Sequence, residues 1–216
     1  MSPPAAARTP ARKPIWYAVV GLAVVTAAIV GILVHGSASS SARSFRDVLR
    51  VVHGDTTSTD DDGAVGADDG VVPDGVTVFD DEHPGVANLD ADLHQALREA
   101  ATDAADDGVT FYVDSGWRSP EYQDQLLREA VSEYGSEEKA ARWVATADTS
   151  AHVSGDAVDI GSSDARAWLS EHGAGYGLCQ TYGNEPWHYE LRPEAIGRRC
   201  PRRYPDPTHD PRMQQE

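Results

Sequence analysis

Hydrophobic positions along the chain fall into three regimes. From Ile15 to Val34 the sequence IWYAVVGLAVVTAAIVGILV is apolar and uncharged, close to the ~20 residues a helix needs to cross a bilayer. From Gly36 to about Gly75, apolar residues thin out among Ser, Asp and Gly, and no period is sustained. Such a composition buries too little surface to offset chain entropy, which predicts a disordered stalk. From Val76 onward a helical period sets in. Asn88 reads as an N-cap, with Leu89, Leu93, Leu97, Ala101 and Ala104 on one face and Gly108 as the stop.

Beyond Gly108 the period changes to two. Val109 to Val113 alternates and is rich in β-branched and aromatic residues, which predicts a strand. Ser119-Pro120 is an N-cap followed by proline at the first helical position, opening a helix through Tyr122, Leu126, Ala130 and Tyr134 to Gly135. Ser136 caps a second helix through Ala140 and Val144. Ala157 to Ile160 reads as a short buried strand, Ser163 or Asp164 starts a helix to Gly173, and Trp187 to Leu191 reads as the last strand. Helices mix with short strands without regular βαβ alternation, so an α+β domain with a small antiparallel sheet and flanking helices is expected.

These regimes partition the 216 residues. Residues 1–14 are expected to be a cytoplasmic tail, 15–34 a transmembrane anchor, 35–75 the stalk, 76–200 the folded domain and 201–216 a loose C-terminal tail. Arg8, Arg12 and Lys13 precede the apolar run, and positive charge stays on the cytoplasmic side, placing everything after Val34 outside the cell membrane. The competing reading is a cleaved signal peptide, for which Ser40-Ser41-Ala42 is the nearest cleavage site. Both readings export the domain.

Charge and cysteines then narrow the classes. A net charge of -17 argues against nucleic acid as a partner, since phosphate binding needs Lys and Arg to displace counterions. The Asp-rich runs fit solvated surface, because none forms the D-x-D-x-D-G loop of a calcium site. Cys179 and Cys200 could be a disulfide, metal ligands or idle thiols. Export favours the disulfide, which would staple the loop between them.

That loop carries half of a candidate site. His152 and Asp159 are seven residues apart, a spacing that suits a loop running into a strand rather than one helical face. Gly155 permits the turn, and strand alternation turns Asp159 back toward His152. His188 would complete three ligands to a catalytic zinc, the number such sites use while leaving one position to water. Glu185 stands close enough to serve as general base. Arg118, at the junction of a strand and a helix, is the best-placed cation for a developing oxyanion. Of the remaining histidines, His35 and His53 fall in the anchor border and stalk, His83 and His94 near the start of the domain, His172 at a helix end and His209 in the tail.

The motifs Ser150-x-His152-x-x-Gly155-x-Ala157-x-Asp159 and Glu185-x-Trp187-His188, preceded by Ser115-Gly116-Trp117-Arg118-Ser119, resemble the zinc D-alanyl-D-alanine carboxypeptidases of the VanY type, with the fold of hedgehog and lysostaphin-like domains. The likeness runs from about Leu89 to Leu191. It implies one zinc ion on His152, Asp159 and His188, Glu185 as catalytic base, Arg118 near the scissile group, and Ser119, Gln125 and Ser150 as substrate contacts. The implied substrate is the D-Ala-D-Ala end of a peptidoglycan stem peptide or its precursor. Alternatives are an L,D-carboxypeptidase, a peptidoglycan endopeptidase, or a wall-binding module without catalysis. The oligomeric state is left open. Two departures stand out: Asp148-Thr149 where relatives often carry Pro-Gly, and Glu190, which is expected to face solvent.

Overall fold

A computed structural model of the chain describes residues 64–214. The expected cytoplasmic tail, the anchor and most of the stalk lie outside these residues. Among the described residues, no helix is long and apolar enough to cross a membrane.

Four short strands form the sheet: β1 (Val113–Ser115), β2 (Ala157–Ile160), β3 (Leu178–Gln180) and β4 (His188–Leu191). Their order is β1-β2-β4-β3, and every neighbouring pair is antiparallel. Five α-helices accompany them: α1 (Pro84–Ala87), α2 (Ala91–Asp106), α3 (Pro120–Tyr134), α4 (Glu137–Ala140) and α5 (Ser163–His172). The α+β class with a small antiparallel sheet is the one the sequence implies.

Helix ends follow local chemistry. The cap of α2 is Asp90 rather than Asn88, because its carboxylate accepts both the Asp92 and Leu93 amides and its charge suits the positive helix end. Asn88 instead closes α1. At the far end the Val109 amide bonds back to Ala104 O, the closure that follows a left-handed glycine, here Gly108 at φ 74°. That closure uses up Val109, so the strand expected from Val109 begins only at Val113 and runs on to Ser115. Ser119 caps α3 as anticipated, its side chain accepting from Tyr122 N, with Pro120 at the first position.

Two apolar clusters flank the sheet. One joins Leu93, Leu97 and Ala104 of α2 to Phe111, Val158, Ile160, Leu178 and Trp168. The other joins Tyr122, Leu126 and Ala130 of α3 to Ala140, Val144 and Trp187. The strands alternate: in β2, Val158 and Ile160 enter the first cluster, as Tyr189 does in β4. Their alternate residues, Asp159, His188 and Glu190, are turned to the other side.

Both boundaries of the folded domain lie further out than the sequence implies. The chain is packed well before Val76. Val72, Val76 and Val78 are buried in the first cluster, Asp69 O accepts the Ser119 amide, and Asp69 Oδ1 accepts the Ser119 hydroxyl. At the other end, residues expected to form a loose tail are docked. Tyr204 exchanges backbone bonds with Thr181 and Gly183, and Pro205 O accepts from Asn184 N. Asp210 is fully buried, accepting the Tyr182 hydroxyl. A disulfide joins Cys179 in β3 to Cys200, where the docked segment begins.

Candidate metal and catalytic site

Cross-strand register builds the floor of the site. Asp159 of β2 and His188 of β4 are direct partners in the antiparallel ladder, so their side chains emerge side by side on one face. His152 arrives from the turn before β2. Its backbone is fixed where Gly155, at φ 83°, runs so close to Asn88 O that a Cβ would stand 2.7 Å from it. Gly116 supplies the other fixed point. A Cβ there would meet Gly85 O at 1.9 Å, so only glycine fits, and its carbonyl oxygen lies 2.8 Å from His152 Nδ1.

That carbonyl can only accept, so His152 Nδ1 carries the proton and Nε2 a lone pair. His188 Nε2 likewise gives its proton toward Glu190 Oε1 at 3.2 Å, so Nδ1 is the nitrogen it turns to the site. His152 Nε2 and His188 Nδ1 face each other across 3.2 Å. Asp159 Oδ1 lies 3.5 Å from His152 Nε2 and 3.4 Å from His188 Nδ1 and is buried with no hydrogen bond of its own. Two imidazole nitrogens and a carboxylate oxygen thus converge on one point, and once a metal takes the place of the His188 Nδ1 proton all three offer it a lone pair. Ligands of a tetrahedral zinc at ordinary bond lengths stand roughly 3.3 Å apart, and the observed spacings match. His152, Asp159 and His188 are all buried and fit a metal ion.

Glu185 sits beside this group, its Oε2 3.7 Å from His188 Nδ1 and its Oε1 buried without a hydrogen-bond partner. Burial pushes its carboxyl up to about 8, with the negative charges of Asp159 and Glu190 adding to the effect. Burial also disfavours charge on Asp159, but His152, His188 and Arg118 outweigh it and hold that carboxyl well below its usual range. For His152, burial wins and lowers the imidazole pKa. For His188, burial is outweighed by the Asp159 and Glu190 carboxylates, which push it up to about 10 in the metal-free protein.

The other expected site residues divide. Arg118 is buried in the cavity wall, giving Nε to Ser115 Oγ, one terminal nitrogen to Gln123 Oε1 and the other to Asp159 Oδ2 at 3.0 Å. Ser150 also lines the cavity, its Oγ accepting from His152 N. Ser119 does not: its hydroxyl is engaged in capping α3 and in bonding Asp69. Gln125 does not either; it reaches along α3 to Glu129. The glutamine in the cavity is Gln123, almost fully buried and held by Arg118 and Ala145 O. It shares a helical face with Leu126 and Ala130 (three and seven residues on), and a polar residue in that apolar row was the available signal.

Glu190 overturns the expectation of a solvent-facing carboxylate. Side chains two apart on a strand share a face, so Glu190 follows His188 inward and is 2% exposed. Its oxygens bond Arg212 at 2.7 and 3.0 Å and pair with Arg192 at 2.8 Å. Burial opposes its charge, yet His188 and Arg212 hold it well below its usual range. His188 thus rests on a carboxylate, the support that metal-bound histidines commonly have.

Comparison with known proteins finds relatives for part of the chain. Residues 86–194 match the model of the VanY family, described as D-alanyl-D-alanine carboxypeptidase. A D-alanyl-D-alanine carboxypeptidase of Enterococcus faecalis (strain ATCC 700802 / V583) is 31% identical over 126 residues, 47% of this chain and 47% of the relative. The chain therefore spans about half the length of the curated relative it matches. A vancomycin resistance D,D-pentapeptidase VanY in complex with Zn(II) is 30% identical, covering 48% of this chain and 72% of that one, with a TM-score of 0.45. The LdcB LD-carboxypeptidase is 24% identical, covering 63% and 74%, with a TM-score of 0.48. With half of its length matched by the family, the chain belongs to the VanY family of D-alanyl-D-alanine carboxypeptidases.

Proposed function

We propose that this chain is a zinc-dependent D,D-carboxypeptidase that removes the terminal D-alanine from peptidoglycan stem peptides, acting outside the cell on a single-pass N-terminal anchor. The observation that carries the reading is the convergence of His152 Nε2 and His188 Nδ1 on the unpartnered Asp159 oxygen, with the Glu185 carboxyl alongside. Family membership supports the substrate class. The uncharged run Ile15–Val34 behind Arg8, Arg12 and Lys13 supports the anchor.

His152, Asp159 and His188 would hold the zinc. Bound zinc would polarise a carbonyl oxygen and lower the pKa of the water it holds to about 7. The chain's own residues do the rest. Glu185 accepts a proton at its free Oε1 as the water oxygen attacks the scissile carbonyl carbon. It returns that proton to the amide nitrogen as the C–N bond breaks, releasing D-alanine as a neutral amine. Burial raises its proton affinity above that of a solvated carboxylate, and the charge of a bound metal would offset that rise and leave it ionised to take the proton. Arg118 keeps Asp159 ionised and oriented, and its positive charge in the cavity wall favours negative charge developing on the carbonyl oxygen. Gln123 fixes Arg118 in turn.

The test is D-alanine release from a muramyl pentapeptide by the zinc-loaded protein, repeated with chelator and after zinc is restored. Release that a chelator abolishes and zinc restores is expected. Release from the tetrapeptide alone would replace the D,D assignment with L,D activity. No release from pentapeptide, tetrapeptide or crosslinked wall would overturn the peptidase reading.

A further inference from the structure

The catalytic cavity is too small for the substrate. It offers about 30 Å³, space for one or two water molecules, whereas a terminal dipeptide brings about a dozen heavy atoms. Part of its wall comes from Pro207 and Met213, which lie beyond the family-matched residues 86–194. On the far side of these two residues runs a groove of about 540 Å³. Its apolar floor is formed by Leu127, Val131 and Ala141, with Arg128 and Glu137 at its edge. Groove and cavity share four wall residues: Val144, Ala145, Pro207 and Met213.

We propose that Pro207 and Met213 are substrate-contact residues forming the partition between cavity and groove, and that Met213 swings aside to admit the peptide's C-terminal end. The inference rests on the peptidase reading above. An enzyme that cleaves a terminal amide at the metal must lead the amino side of the peptide out of the cavity, and the groove that shares four wall residues with that cavity receives it. The two partition residues differ in freedom. Pro207 is buried and opens a short 3-10 turn capped by Asp206. Met213 is half-buried and follows Arg212, whose guanidinium is the segment's anchor on Glu190. An unbranched methionine changes rotamer at little cost, so the wall opens at Met213 while Arg212 stays bound. The C-terminal segment thereby serves the site twice: Arg212 supports the carboxylate under His188, and Met213 closes the entrance.

The experiment compares the full chain, loaded with zinc, with its Met213→Ala and Met213→Trp variants. It follows the rate at which ethylenediaminetetraacetate strips the metal, and kcat/KM on the pentapeptide. Met213→Ala should strip several-fold faster than the parent, and Met213→Trp several-fold slower. Met213→Trp should also lose about tenfold in kcat/KM with its zinc content unchanged, as expected of a blocked gate. Equal thermal midpoints would show that both variants are folded. Stripping rates that are the same in all three proteins would overturn the partition. Because stripping needs no catalysis, a parent that fails to release D-alanine would sink the peptidase reading while still leaving the gate decided by the metal.

Discussion

At the scale of single residues, the site separates holding a metal from moving a proton. His152, Asp159 and His188 converge on one point, while Glu185 stands beside it with a free oxygen. A Glu185→Gln variant should therefore keep its zinc while kcat falls roughly a hundred- to ten-thousandfold, the usual worth of a general base. Metal analysis beside turnover checks both halves; loss of zinc in parallel with activity would make Glu185 a ligand instead. These four residues were legible in the sequence chiefly through motifs that resemble the VanY type, since spacing and strand alternation by themselves make such a site only plausible. Gln123 was missed in favour of Gln125, since a motif transfers position along a chain, whereas helical phase decides which glutamine turns inward. Glu190 was misplaced for the opposite reason. The period of two already put it on the face of His188, but its partner Arg212 lies 22 residues on, and nothing local announces that a buried carboxylate has found its cation.

At the scale of elements, caps and apolar faces were readable, and strand limits and domain edges were not. Helix α3 begins and ends where Ser119-Pro120 and Gly135 dictate. The strand before Ser115 starts late because the closure of α2 claims Val109. The segment before Val76 and the one after Cys200 carry few apolar residues and no period. They are held by isolated backbone bonds, by buried Asp210 and by the disulfide, features that become visible only once distant strands are assembled. The disulfide should matter out of proportion to its size. It spans a sequence separation of 21, for which loop-closure entropy gives about 3 kcal/mol. A Cys179→Ser/Cys200→Ser variant should lower the denaturant midpoint accordingly. It should also speed amide exchange from Tyr204 to Asp210 ahead of the α2 amides. Uniform acceleration across both regions would mean that the bridge stabilises the whole domain without particularly fastening the C-terminal segment.

At the scale of the whole molecule, the site is a concentration of charge whose cost depends on pH and on the metal. In the metal-free protein Glu185 is raised from an ordinary 4.5 to about 8 by burial. A carboxyl so shifted binds its proton more tightly folded than unfolded, so its contribution is complete below about pH 4.5 and is lost as pH rises through 8. His188 is raised from 6.5 to about 10, the Asp159 and Glu190 carboxylates overcoming the opposing effect of burial. Its contribution is present below about pH 6.5 and is lost as pH rises through 10, the same direction. Asp159 is depressed below its ordinary 3.8, so its contribution is already complete throughout this range. Below about pH 6.5 the lowered pKa of His152 works the other way and offsets the loss at Glu185, so metal-free protein should lose stability steadily from about pH 6.5 toward pH 10. Zinc reverses the trend, because it takes the place of the proton on His188 and supplies the cation that the buried carboxylates lack. The gap in thermal midpoint between zinc-loaded and stripped protein should accordingly widen as pH rises from 6 to 9. Calorimetry in buffers of different ionisation enthalpy should also register proton release on zinc binding. A gap that stays constant with pH, with no protons released, would mean that His188 is already neutral in the metal-free protein. The support of its ring by Glu190 would then be a hydrogen bond between a neutral imidazole and a carboxylate, rather than an ion pair waiting for its metal.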